Sequence, residues 1–262
     1  MTRPRVFLVR APGTNCDAET AYAFEKAGAV TETVHLNRWL ESPHRADDFQ
    51  ILCFPGGFSF GDDVASGRLV AIRLQQHLND AIRSFIDRDR LVLGICNGFQ
   101  ILIKSGLLLA PDDQGRSVAT LDWNDHGRYE DRWVRTAVDR THCVFLRGVE
   151  RMELPIAHAE GRFAAVDRAT LERLRDAGQL ALRYVDDQLT DAPLPYPINP
   201  NGAAFNVAGV CDSTGRIFGL MPHPERHIDP TQHPSWTRRR RNECHEGDGA
   251  VIFSNAVRYF GS

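Results

Sequence analysis

One ten-residue stretch, Leu91 to Gln100, places the strongest limit on how this chain can fold. Its first five residues, up to Ile95, are apolar or glycine without alternation, which is typical of a strand buried on both faces of a parallel sheet. Cys96 follows, and then a short, mainly apolar run reaches Gly106 and suits a helix ended by glycine. The stretch predicts a strand, a sharp turn that carries Cys96, and a helix.

Cys96 can be interpreted in two ways. A cysteine between two glycines, Gly94 and Gly98, at a strand-to-helix turn has the layout of a nucleophile elbow, with Cys in the place of Ser. Glycines allow the close passage of two chain segments around a strained turn, and a helix N-terminus stabilises a thiolate. The alternative is a buried, unreactive cysteine at a strand end. The paired glycines favour the nucleophile.

Alternating strands and helices in the first half predict a doubly wound α/β fold. Val6 to Val9, Thr31 to Leu36 and Ile51 to Phe54 are expected strands. A helix capped by Asp17 or Asn15 is expected to run to Lys26 and Ala27, and an amphipathic helix is expected from about Arg68 to Arg88. Right-handed crossovers then give a mostly parallel central sheet with helices on both faces. The 262 residues are expected to form a single domain.

The second half predicts a small antiparallel or mixed portion. Val118 to Asp122 and Tyr129 to Asp139 are expected strands. Phe205 to Val210 and Arg216 to Leu220 are expected to form a hairpin around the turn that ends at Gly215.

A glycine-rich loop follows the third expected strand, at Gly56, Gly57 and Gly61. Its backbone N–H groups could face an anion, or the loop could be a plain strand-to-helix turn. Because ligands collect at the carboxyl ends of strands in open α/β sheets, this loop and Cys96 can meet. We therefore expect oxyanion donors at the backbone of Gly56 or Gly57 and of Asn97, the residue after the nucleophile.

His223 and Glu225 lie between and after two prolines, in Pro222-His223-Pro224-Glu225. The prolines exclude a helix and predict extended backbone, in which these two side chains point the same way. Glu225 would then hold the imidazole in one tautomer, as the third member of a triad does. A surface histidine is the alternative. Together with Cys96 the pair suits acyl transfer followed by hydrolysis, with an amide, a peptide or an ester as substrate.

The composition argues against several functional classes. A net charge of −3 gives no general attraction to nucleic acid or membrane, and no apolar run approaches the roughly 20 residues that cross a bilayer. The six scattered cysteines indicate a reducing, cytoplasmic location. His233, Cys244 and His245 match no standard zinc spacing, so no metal site is predicted, and Arg238 to Arg241 is interpreted as a solvated stretch.

These motifs resemble those of the class I, or triad, glutamine amidotransferases. More closely, the chain is similar to the family of glutaminase subunits of phosphoribosylformylglycinamidine synthase, of purine biosynthesis. The elbow at Cys96 and the His-Pro-Glu are shared by the whole class. The matching stretches span nearly the whole chain and are Pro12 to Asp17, Pro55 to Asp62, Gly94 to Gln100, Gly127 to Glu130 with Arg132 and Trp133, Ile156 to Arg162, Pro197 to Gly202 and Met221 to Arg226.

The resemblance implies a flavodoxin-like fold in which Cys96, His223 and Glu225 release ammonia from L-glutamine and Gln100 holds the substrate. It further implies that the ammonia passes to a large synthetase subunit, which binds ATP and Mg²⁺ and converts formylglycinamide ribonucleotide to the amidine. A small bridging subunit is also expected, and no cofactor or metal in this chain. The segment from Trp236 to Gly249 is longer than the resemblance leads us to expect.

Three polar residues of another matching stretch, His158, Glu160 and Arg162, are expected either to line the partner-facing mouth of the site or to be structural. Two other functions remain open. One is a triad amidotransferase that feeds another pathway. The other is a non-catalytic scaffold with a decayed triad, or a stress-type cysteine protein of similar fold.

Overall fold

The computed structural model describes residues 3–190, 192–238 and 246–261. The α-helices in these ranges are α1 (Asp17–Lys26), α2 (Leu36–Glu41), α3 (Arg68–Arg73), α4 (Asn79–Asp87), α5 (Asn97–Lys104), α6 (Arg168–Asp176) and α7 (Ala250–Arg258). The strands are β1 (Arg5–Arg10), β2 (Val30–His35), β3 (Ile51–Phe54), β4 (Leu91–Ile95), β5 (Ala119–Trp123), β6 (Glu130–Val138), β7 (Arg151–His158), β8 (Glu160–Ala165), β9 (Leu182–Tyr184), β10 (Val207–Cys211) and β11 (Ile217–Leu220). No helix in the described ranges is long and apolar enough to span a membrane.

Nine of these strands form one sheet, in the order β2-β1-β3-β4-β11-β10-β9-β6-β7. The first five run parallel, and the four pairings from β11 to β7 are antiparallel. All residues of β3, β4 and β11 are buried, as a parallel sheet covered on both faces requires. The predicted α/β fold with a parallel sheet is confirmed.

The antiparallel portion extends the same sheet and is larger than the sequence indicated. The predicted hairpin is present as β10 and β11, and β6 pairs with both β7 and β9. A separate two-stranded sheet joins β5 to β8. These pairings join segments far apart in the chain, so local patterns did not specify them.

The amphipathic helix expected near residues 68–88 is formed in three consecutive pieces. A π-helical segment, Leu74–Leu78, connects α3 to α4. The predicted apolar face is buried across the junction, at Leu74, Leu78, Ile82 and Phe85. The stripe is therefore core, as its spacing predicted.

Aromatic side chains dominate the apolar core on the faces of the sheet. Phe7 of β1 contacts Trp39 and Phe49 with ring centroids 5.1 Å apart. Phe24 of α1 packs edge-on against Phe253 of α7, with 4.8 Å between the ring centroids. These contacts attach the last helix to the first strand-helix unit.

Candidate active site

Three neighbouring parallel strands end at one place. In the register of the sheet, Phe54 of β3 pairs with Gly94 of β4, and Ile95 of β4 pairs with Leu220 of β11. The backbone N–H of Cys96 donates to the carbonyl of Leu220 over 2.8 Å. The residues that follow each strand, namely the glycine loop, Cys96 and the His-Pro-Glu segment, are thereby brought together at the carboxyl edge of the sheet.

Cys96 occupies the predicted sharp turn between β4 and α5. Its φ and ψ are 51° and −104°, a strained conformation for a residue with a Cβ. The side chain is buried, and its sulfur lies 3.7 Å from the carbonyl oxygen of Ala157. The glycines permit this turn, because a Cβ at residue 98 would lie 1.9 Å from the carbonyl oxygen of Phe54, and one at residue 94 would lie 2.6 Å from the oxygen of Gly98.

His223 and Glu225 form a buried pair, with Nδ1 of His223 2.6 Å from Oε1 of Glu225. The side chains are 2% and 0% exposed, so water does not screen the interaction. The backbone N–H of His223 donates to the carbonyl of Pro155 in β7, which fixes the position of the imidazole. The predicted pairing is present.

The predicted extended backbone after His223 is wrong. Pro224–Arg226 form a 3₁₀ turn, with Pro224 at its first position. Proline is tolerated there because the N–H that it lacks would have no partner within the turn. The turn brings Glu225 back toward the imidazole, so the same contact arises from a different backbone.

The environment of His223 has opposing effects on its pKa. Burial favours the neutral ring, but the carboxylate of Glu225 and then the charge on Cys96 act the other way, and together they hold the pKa of His223 well above its usual value. Within the described residues Nε2 of His223 has no hydrogen-bond partner. Cys96 is nevertheless close enough to His223 to raise the pKa of the imidazole.

The glycine loop packs directly against the imidazole. A Cβ at residue 56 would lie 2.8 Å from Cε1 of His223, and Gly57 has a φ of +144° that favours glycine. Asn97 is the first residue of α5, so its N–H has no acceptor within the helix. Gly56 thus lies against His223, Asn97 directly follows Cys96, and Gly57 packs against the backbone of residues 13–15.

Gln100 lies one turn into α5 and is buried. Its Nε2 donates to the carbonyl of Glu160, and its Oε1 accepts from Nδ2 of Asn97 over 2.9 Å. Because an amide carries two N–H groups and two lone pairs, each end keeps one for a further partner. Gln100 is held in place by the protein and retains capacity to bind a ligand.

Sequence reasoning missed Cys16 as a component of this site. Its sulfur lies 4.0 Å from Nδ1 of His223, and Nη2 of Arg226 donates to it over 3.2 Å. Cys16 belongs to the family-matching stretch that begins at Pro12. That match was the one signal in the sequence, because no spacing rule relates Cys16 to His223.

The atoms of Cys16, His223 and Glu225 that could bind a metal lie within 4.8 Å of one another, the one such cluster found in the described part of the chain. The guanidinium of Arg226 already donates to the sulfur of Cys16, and the sequence analysis predicted no metal site in this chain. Of the histidines and cysteines weighed as zinc ligands, Cys244 and His245 lie outside the described residues, as do Arg239 to Arg241 of the basic run.

The family-matching stretch from Ile156 to Arg162 contains three polar residues of interest. His158 and Glu160 are buried, and Arg162 is half-buried. Nδ1 of His158 lies 3.1 Å from Oδ1 of Asn124, and burial, followed by the charges of His223 and His126, lowers the pKa of His158 to about 3. Glu160 and Lys104 form an ion pair of 3.2 Å with 8% of each side chain exposed. The contacts of these two residues within the protein fit the structural alternative.

Arg162 has contacts of the same kind. It pairs with Asp122 of the neighbouring strand β5 over 2.7 Å and donates to the carbonyl of Trp123. It therefore ties together the two strands of the small sheet.

Comparison with known proteins gives consistent matches over the whole chain. A family model described as the CobB/CobQ-like glutamine amidotransferase domain matches residues 3–260. Phosphoribosylformylglycinamidine synthase subunit PurQ from Dehalococcoides mccartyi is 44% identical over 260 residues, covering 99% of this chain and 98% of that protein. The protein of the same name from Methanococcus maripaludis is 42% identical over 266 residues, covering 98% and 97%.

Solved structures match in the same way. A chain in the structure of PurLQS from Thermotoga maritima has a TM-score of 0.74 and 30% identity, with 99% of this chain and all of that chain covered. A second glutamine amidotransferase from Thermotoga maritima, at 13% identity and a TM-score of 0.58, shares the fold.

The fold and these matches define a glutamine amidotransferase of the CobB/CobQ-like family. Within that class, the chain belongs to the family of phosphoribosylformylglycinamidine synthase subunit PurQ. The resemblance drawn from the sequence motifs is confirmed.

Proposed function

We propose that this chain is the glutaminase subunit of phosphoribosylformylglycinamidine synthase, with Cys96, His223 and Glu225 as its catalytic triad. The observation that carries the proposal is the register of β4 and β11, which sets Cys96 beside the buried His223–Glu225 pair. An unreactive cysteine would need neither the strained turn nor a neighbouring imidazole whose Nε2 has no partner in the described residues.

The reactive state forms when the thiol proton of Cys96 passes to Nε2 of His223, a transfer that the raised pKa of the imidazole favours. The thiolate attacks the side-chain carbonyl carbon of glutamine, and the C–N bond breaks as the imidazolium returns the proton to the nitrogen, which leaves as ammonia. Water, deprotonated by His223, then cleaves the thioester to glutamate and restores the thiol. Glu225 holds Nδ1 throughout and stabilises the imidazolium.

The oxyanion that forms during each attack requires N–H donors about 3 Å away. We assign this role to the backbone of Asn97 and of Gly57 or Gly56. Gln100 binds the amino acid portion of glutamine with the N–H and the lone pair that its contacts to Glu160 and Asn97 leave unused.

The ammonia is delivered to partner subunits. The PurLQS structure supports a complex with a large synthetase subunit, PurL, and a small bridging subunit, PurS. ATP and Mg²⁺ bind to the synthetase, which converts formylglycinamide ribonucleotide to the amidine in purine biosynthesis. The complex is cytoplasmic. Residues 1–262 form a single domain, which the continuous sheet and the packing of Phe24 on Phe253 support.

Labelling with an electrophilic glutamine analogue tests the chemistry. Mass spectrometry is expected to map the modification to Cys96. Cys96→Ser is expected to reduce ammonia release from glutamine at least a thousandfold and to leave glutamine-dependent assembly with the synthetase intact. Retained turnover in that variant would refute the triad, and the absence of labelling would favour a scaffold.

Co-purification tests the pathway. The chain is expected to bind the large ATP-binding synthetase and to turn over glutamine slowly without it. Full turnover by the isolated chain would count against coupling to a partner. Capture of a synthetase that acts on another acceptor would assign the chain to a different pathway.

A further inference from the structure

Glu225 carries a buried carboxylate with one partner. Oε1 contacts His223, whereas Oε2 is buried and has no hydrogen-bond partner among the described residues. An unpaired charge at such a site is costly, so a cation must lie close to it. The imidazolium of His223 is one candidate cation, and the guanidinium of Arg226, the next residue in the chain, is the other.

The Arg226 side chain makes two contacts with α1 and its cap, and it does not pair with Oε2 of Glu225. Its Nη2 donates to the sulfur of Cys16 over 3.2 Å, and its Nε lies 3.8 Å from Oε1 of Glu19. Glu225 still acts on Arg226 electrostatically, so the two groups are near each other. Removing the sulfur would leave Oε2 of Glu225 as an available acceptor.

Cys16 fills the space between the guanidinium and the imidazole. It is 1% exposed, and its sulfur lies 3.3 Å from Oδ1 of Asn15 and 4.0 Å from Nδ1 of His223. Burial raises the pKa of the Cys16 thiol, opposed by its contact with His223. A neutral thiol can donate to Asn15 and accept from Arg226 without adding a charge beside the pair.

We propose that Cys16 is a positioning residue that holds the Arg226 guanidinium away from Glu225, so that His223 remains the partner of the buried carboxylate. An Arg226–Glu225 pair would neutralise the carboxylate and remove the main reason for a charged imidazole. The inference builds on the proposed function, in which the imidazolium donates a proton to the leaving nitrogen. The proposed effect on His223 can also be measured in the resting protein, without turnover.

Several other groups face the imidazole and contribute to its titration. Besides Glu225, Cys16 and Arg226, they are Cys96 at the start of α5, Tyr129 before β6 and His158 at the end of β7. None of these three has a hydrogen bond or ion pair with Arg226 among the described residues, although Tyr129 lies within the influence of its charge. Substitutions at residues 16 and 226 leave all three in place.

NMR titration of isotope-labelled histidine in the full chain measures the effect without requiring activity. Cys16→Ala is expected to lower the pKa of His223 by about one unit, and Cys16→Ser, which keeps an acceptor for Arg226, is expected to shift it much less. Cys16→Ala with Arg226→Met is expected to restore the wild-type titration, because no guanidinium remains to move. Cys143→Ala, which removes another buried thiol whose partners lie outside the site, is the matched control and should leave the titration unchanged.

In the complex, the alkaline limb of kcat/KM for ammonia release is expected to move to lower pH in Cys16→Ala and to return in the double variant. An unchanged His223 titration in Cys16→Ala, or an equal shift in the double variant, would overturn the inference. A wild-type complex without glutaminase activity would instead refute the proposed function, and the NMR titration would still decide the role of Cys16.

Discussion

His158 is a buried histidine whose tautomer can be read from its neighbour. Nδ2 of Asn124 donates to the carbonyls of Arg128 and His158, so Oδ1 of Asn124 faces Nδ1 of His158 and accepts a hydrogen bond from its N–H. Nε2 is then a lone pair, and it has no hydrogen-bond partner in the described part of the protein. Burial, with the charges of His223 and His126, lowers the pKa of His158 to about 3, so the ring is neutral near pH 7.

The low pKa of His158 predicts how the free energy of unfolding depends on pH. An unfolded histidine binds a proton below about pH 6.5, whereas folded His158 does not until about pH 3. Stability is therefore present above pH 6.5 and falls as the pH is lowered. Between pH 7 and pH 4.5 this residue should cost about 2–3 kcal/mol of unfolding free energy.

Urea unfolding at the two pH values measures this loss, and His158→Gln is expected to remove it. His223 has a raised pKa and holds its proton in the folded state across this window, whereas the unfolded ring gains its proton near pH 6.5, so it opposes the loss slightly between pH 7 and pH 6 and does so equally in both proteins. An equal loss in the variant and the wild type would show that other groups are responsible.

At the residue scale the sequence predicted which side chains would meet at Cys96, but it did not predict the whole site. Cys96, His223 and the glycine loop follow three strands whose apolar runs were readable, and neighbouring parallel strands present their ends together. Cys16 follows β1, which is not adjacent to β11 in the sheet. Its contact with Arg226 depends on the path of a loop, and no local pattern encodes that path.

At the scale of elements, the turn between β4 and α5 depends on how closely the helix approaches β3. A Cβ at residue 98 would overlap the carbonyl oxygen of Phe54, at 1.9 Å, and backbone cannot move aside as a flexible side chain can. Gly98→Ala is expected to destabilise the protein by about 1–3 kcal/mol or more and to displace Cys96.

Thermal and urea unfolding measure the stability of this variant, and ammonia release reports the displacement of Cys96. Gly106→Ala is the matched control, because residue 106 has a φ of +72° and a Cβ added there would meet no atom within 4 Å. Backbone strain alone should cost about 1 kcal/mol there with activity retained. An effect at Gly98 no larger than that at Gly106 would contradict the overlap, because residue 98 does not have a positive φ and carries no such strain.

The elements that were predicted well are those with continuous apolar runs or clear end signals. β1, β3 and β4 were readable because both faces are buried, and α5 because Gly106 ends it. The order of β9, β6 and β7 was not readable, since their pairing depends on side-chain fit between distant segments. The 3₁₀ turn after His223 was missed because proline fits its first position as well as it fits extended backbone.

At the scale of the whole molecule, a buried ion pair connects the parallel sheet's helix α5 to the small two-stranded sheet. Nζ of Lys104 lies 3.2 Å from Glu160 of β8 and donates to the carbonyl of Ser66, while Glu160 also accepts from the N–H of Ser66. The carbonyl of Glu160 holds Gln100. The pair thus joins three parts of the structure behind the proposed substrate site.

Removing one residue of the Lys104–Glu160 ion pair should lower the free energy of unfolding more than removing both. Lys104→Met or Glu160→Gln alone is expected to cost about 3–5 kcal/mol, since each leaves the other residue of the pair as an unpaired buried charge. The double variant should cost clearly less than the sum of the two. Urea unfolding in a double-mutant cycle measures the coupling, and KM for glutamine should rise in the single variants. Strictly additive costs would argue that the pair does not couple these parts.

The pairing of Ile95 with Leu220 makes the spacing of sulfur and imidazole independent of the length of chain between them. The sulfur and the imidazole follow adjacent strands, so loops between Gly106 and Val207 could lengthen or shorten without altering the distance between these two groups. Loops in the intervening half of the chain can therefore vary in length, provided that Pro155, Ala157 and Glu160 keep their contacts with His223, Cys96 and Gln100.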